Sequence, residues 1–149
     1  MNRLLFLLLI TVFIGISPMM VTAQSDFCDD AEIYYGLDEA LKKPEKVVKL
    51  DIAMQKLTLI SADISKLVNL ECLDLSFNRI SGLPAEFALL KKLRYLNLTG
   101  TRYLSGLPKV LTELPELEIV DIRDHPEWKA VKFEEAKKML PDVKVITDK

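Results

Sequence analysis

Histidine is almost absent from this 149-residue sequence, tryptophan and cysteine are scarce, and glycine occurs five times without clustering. Each scarcity excludes a chemistry. With His125 the single histidine, a Ser-His-Asp or Cys-His mechanism has only that residue to draw on. Asp124, His125 and Glu127 stand side by side rather than at a spacing that ligates a metal. Scattered glycines make no loop to cradle a phosphate. An excess of positive charge is also missing: 20 basic residues, spread along the chain, face 22 acidic ones, so no basic stripe exists to neutralise nucleic-acid phosphates. The expectation is a chain with no cofactor, no metal, no catalytic residues and no nucleic-acid partner. Its 50% hydrophobic and 28% charged composition suits one compact domain.

The first segment has to be set aside before the fold is read. Asn2 and Arg3 precede an apolar or neutral run from Leu4 to Ile16, and Val21-Thr22-Ala23 supplies small residues of the kind a signal peptidase reads. That run is shorter than the ~20 residues needed to cross a bilayer. Residues 1–23 are therefore expected to be a cleaved signal peptide, with cleavage before Gln24 and no stable membrane span afterwards. Loss of Arg3 leaves the exported chain one unit more negative than the full chain's −2. The expected location is secreted or periplasmic.

What is abundant is leucine at a fixed period. Leu70, Leu73, Leu75, Ile80, Leu83, Phe87 and Leu90 form one set, with Asn78 between its two halves and Pro84 after Leu83. The same spacing recurs upstream at Val47, Leu50, Ile52, Leu57, Ile60, Ile64 and Leu67, and downstream from Leu93. This period belongs to a supersecondary unit, and the pattern L-x-x-L-x-L-x-x-N-x-L over about 20–29 residues marks a leucine-rich repeat. The chain resembles that family, with repeats at 47–69, 70–92 and 93–116 and a partial one at 117–126. The repeat type, L-P-x-x-[I/F]-x-x-L, resembles small exported bacterial members.

The resemblance implies an α/β fold: a short solenoid in which each L-x-x-L-x-L forms a strand of a parallel concave sheet, with helical or 3-10 turns on the convex side behind Pro84 and Pro108. Solenoid ends need covering. Residues 24–46 are read as a helical N-terminal cap, because Ile33, Leu37, Ala40 and Leu41 share a helical face and Pro44 stops it near Lys43. Residues 127–149 are read as the C-terminal cap, with helical spacing at Phe133, Ala136 and Leu140, a stop at Pro141, and a last edge strand over 143–146. The third repeat holds one extra residue, which must push part of 101–103 outward. His125 occupies the loop position of Asn78, which in the family hydrogen-bonds neighbouring turns, and so reads as structural. Cys28 and Cys72 could bridge in an oxidising compartment if a cap loop folds over the first strands; the sequence leaves this open. Asn97-Leu98-Thr99 matches a glycosylation triplet, but Asn97 falls inside a strand.

Binding candidates are the residues that alternation turns away from the core. One row is Asp51, Asp74, Asn97 and Asp121, which could attract a basic or hydroxyl-rich partner or be ordinary for its position. A second row carries Tyr95 between Cys72 and Ile119. A third carries Met54 and Phe77, and the extra residue brings Tyr103 outward beside them. Met54, Phe77 and Tyr103 are expected to centre an apolar patch for a protein partner. The resemblance implies a non-enzymatic, exported protein-binding module. The alternative is an intracellular signalling scaffold resembling Ras-binding leucine-rich repeat proteins, which requires residues 1–23 not to act as a signal.

Overall fold

A computed structural model describes residues 28–148, so the expected signal segment and its cleavage site lie outside the described residues. Six short strands, β1 (Ile33–Tyr34), β2 (Lys49–Asp51), β3 (Cys72–Asp74), β4 (Tyr95–Asn97), β5 (Ile119–Asp121) and β6 (Lys144–Ile146), form one parallel sheet in chain order. Register is fixed by the repeat: Leu50, Leu73, Leu96, Val120 and Val145 align across β2 to β6. A slip of one residue would turn these apolar side chains out to water.

Behind each of β2, β3 and β4 the chain returns through a five-residue 3-10 turn, at Ala62–Lys66, Ala85–Leu89 and Lys109–Glu113. Pro84 and Pro108 stand immediately before two of them. In the first repeat Ser61 holds that place, and its hydroxyl accepts the Asp63 N–H at 3.2 Å. Ile64, Phe87 and Leu111 point from the three turns into the core, where they meet the strand residues Leu50, Leu73 and Leu96. The structure is a short leucine-rich repeat solenoid of the α/β class.

The ends differ from expectation in one respect. The N-terminal helix is four residues long, α1 (Leu37–Ala40), and Ile33 lies in β1 rather than on its face. Helical spacing is overridden here because β2 would otherwise present a raw edge of unpaired N–H and C=O groups, and β1 pairs with it. Gly36, extended at φ −157° and ψ 141°, divides strand from helix. The C-terminal helix, α2 (Ala130–Met139), has ten residues and buries Phe133 and Ala136. β6 follows and closes the sheet on β5.

Candidate functional site: the outer sheet face and its loop edge

The acidic row is built into the backbone. Asp51, Asp74, Asn97 and Asp121 each accept, through Oδ1, the N–H two residues on: Ala53 at 3.0 Å, Ser76 at 2.8 Å, Thr99 at 3.0 Å and Arg123 at 3.2 Å. Short Asx side chains turn the chain out of β2, β3, β4 and β5 in this way. Asn97 also donates to Asp74 Oδ2 at 2.8 Å, so both ends of its amide are engaged and the glycosylation triplet is not presented as a free acceptor. Asp121, expected on the open face, is fully buried and held by Arg123, whose Nε lies 2.9 Å from Oδ1. This salt bridge raises the Arg123 pKa.

Tyr95, also expected on the open face, is covered. Alternation does turn it to the outer face, but only 8% of it is exposed. Cys28 is bonded to Cys72, the two Cα atoms 6.4 Å apart, and this disulfide lays the segment before β1 over the sheet. Cys28, Cys72 and Tyr95 form a small apolar cluster separate from the main core, with Ile119 against it. Burial, then the Asp121 and Asp74 carboxylates, push the phenol up to about 12.

The third row remains open. Met54 is 71% and Phe77 50% exposed, although their amides stay in the sheet ladder, donating to Ser76 O at 2.9 Å and Thr99 O at 2.8 Å. Their backbones are left-handed, with φ of 57° and 55°, as are the equivalent Gly100 at 65° and Asp124 at 55°. This conformation is free for glycine and costs a long side chain about 1 kcal/mol. Gly100 is also required by packing, because a Cβ there would sit 2.6 Å from Phe77 Cδ1. The Phe77 ring therefore lies across Gly100 with one face to solvent.

Tyr103, 64% exposed, does project with Arg102 from the lengthened loop, while Thr101 turns inward and is fully buried. Arg102 pairs with Asp124 at 3.4 Å. Tyr103 lines a groove of about 530 Å³ between this loop and Trp128, Lys129, Val131 and Lys132. The structure thus puts Met54 and Phe77 in one row, and Tyr103 at the lip of a groove towards α2.

Below the loop edge runs a polar ladder that the leucine pattern only partly announces. Asn78 donates to Ile52 O and Leu75 O at 2.8 and 2.9 Å and accepts the Leu57 N–H at 3.0 Å. Thr101 replaces it one repeat on, its hydroxyl donating to Leu98 O at 2.6 Å. His125 takes the next position, buried, with Nε2 3.0 Å from the same Leu98 O and its ring stacked on Trp128 at 4.4 Å. It is a structural residue. Leucine spacing gave no warning of Thr101, nor of Tyr35, which is exposed at the end of β1. Among the described residues no three His, Cys, Asp or Glu side chains gather to hold a metal ion.

Comparison with known proteins agrees with the repeat. A family model described as leucine rich repeat matches residues 45–102. A probable disease resistance protein of Arabidopsis thaliana is 36% identical over 77 residues, 51% of this chain and 9% of that protein, so the chain spans about a tenth of the plant protein's length. A leucine-rich repeat protein of Leptospira interrogans, known by its structure, is 26% identical; the match covers 63% of this chain and 30% of that one, with a TM-score of 0.44. The family-model match over residues 45–102, together with the repeated register from β2 to β5, shows that this chain contains leucine-rich repeats.

Proposed function

We propose that this chain is an exported, non-enzymatic module that recognises a protein partner through the loop edge of its sheet, centred on Met54 and Phe77 with Tyr103 on the flank. Leucine-rich repeat proteins are generally protein-binding modules, which supports the class of activity. The observation that carries the site is the left-handed row: two large apolar side chains stand exposed at backbone positions where glycine serves one repeat later. Backbone strain kept together with exposed apolar surface points to use rather than to folding. The centre of the sheet is less suited, since the Cys28–Cys72 disulfide covers Tyr95.

Export is supported by the signal-like residues 1–23 and by the disulfide, which belongs to oxidising compartments. No described helix is long and apolar enough to cross a membrane. The test is capture from the source cells with immobilised residues 24–149, run beside a Phe77→Asn, Tyr103→Ser variant. A protein retained by the first and lost from the second supports the reading. Equal retention by both contradicts it, and recovery of the native chain from the cytosol with residues 1–23 attached and both thiols free favours the intracellular scaffold.

A further inference from the structure

The bond between Cys28 and Cys72 joins parts of the molecule that the repeats would otherwise keep apart. Cys28 precedes β1, Cys72 opens β3, and 44 residues separate them in sequence. The bond passes over the outer face of the sheet, because the main core beneath holds neither cysteine. Besides the covalent bond, the strap is tied to the sheet by Lys49, whose Nζ donates to Cys28 O at 3.2 Å. Asp29 and Asp30, next along the strap, are exposed. Beneath it Tyr95 is in register with Cys72 on one side and Ile119 on the other.

We propose that this disulfide is a redox latch on the outer sheet face: bridged, it holds the strap down over Tyr95; reduced, it releases the strap and uncovers Tyr95, while the repeats stay stacked. The step requires a dithiol reductant. One of its thiolates attacks a sulfur of the bridge, the S–S bond breaks to a mixed disulfide, and the second thiol resolves it. Two electrons and two protons pass to the protein, leaving Cys28 and Cys72 as thiols and the reductant as a disulfide. The stacked leucines belong to the main core, which includes neither cysteine. An oxidising compartment thus keeps this face closed and a dithiol-rich one opens it, independently of the loop edge beside it.

Acetylation of tyrosines by N-acetylimidazole, located by peptide mass spectrometry, reads the latch, with exposed Tyr103 as the internal reference. The full chain is compared bridged, after reduction by dithiothreitol, and as the Cys28→Ser variant, each with a thermal melt. The expected result is slow acetylation of Tyr95 in the bridged protein and at least a tenfold rise relative to Tyr103 in an opened form that still melts cooperatively. Continued protection of Tyr95 in the folded, unbridged protein would overturn the latch, since packing would then hold the strap. Loss of the cooperative melt in both the reduced protein and the variant would overturn it as well, since the bond would then be holding the whole fold.

Discussion

The two ends of the solenoid solve one problem in opposite ways. At the C-terminus, α2 buries Phe133 and Ala136, Trp128 packs between His125 and Phe133, and the Trp128 indole donates to Leu104 O at 2.7 Å. Packing and hydrogen bonds close that end. At the N-terminus a two-residue strand and a four-residue helix offer little area, with Tyr34, Leu37 and Leu41 only partly buried, and a disulfide ties the segment down. A short cap that cannot bury enough surface gains from a covalent link, which stabilises by restricting the unfolded chain. The difference separates what holds the fold from what covers a face.

Deleting residues 127–149 is expected to have the largest effect. It exposes β5 as a raw edge and removes Trp128, Phe133 and Leu140 from the core, so circular dichroism should show loss of the cooperative melt and light scattering should show aggregation. Replacing both cysteines by serine should cost less, about 3–4 kcal/mol for a 44-residue separation, read by urea denaturation at a retained cooperative transition. Trp128→Phe keeps an aromatic ring but leaves Leu104 O without its indole donor, which should cost about 1–2 kcal/mol in the same assay. Gly100→Ala should cost about 1–2 kcal/mol through its positive φ and the Phe77 ring, and the cost should fall towards 1 kcal/mol in a Phe77→Asn background. A further effect is confined to high pH. Because the Tyr95 phenol is raised from 10 to about 12, the unfolded chain loses that proton first, so stability should decline as pH rises from 10 towards 12; Tyr95→Phe should flatten this part of the profile.

The interior of the solenoid was legible because one period sets everything: Leu50, Leu73, Leu96 and Val120 recur at repeat spacing, and their register follows. The C-terminal helix was legible for a similar reason, ten residues being long enough for a helical period to show. The N-terminal cap was not, because Ile33 fits a helical face as well as a strand, and only the edge of β2 decides between them. The exposed row was partly legible. Alternation turns Tyr95 outward, but what covers it comes from Cys28, remote in sequence. Asp121 looked like Asp51 and Asp74 in the pattern, yet its burial depends on Arg123 and the strands around it. Met54 and Phe77 were placed correctly on the surface, while their left-handed backbone gave no sign in their own residue types, being written only in Gly100 of the next repeat.

Whether Met54 and Phe77 are kept for recognition or for folding is decided by urea denaturation of the Met54→Asn, Phe77→Asn double variant. Asparagine tolerates the left-handed conformation better than either native residue. The expected midpoint is equal to or higher than that of the native chain, with a stability change between zero and about +1 kcal/mol. A loss of about 2 kcal/mol or more would show that the two side chains are structural and would contradict the assignment of this edge as the partner surface.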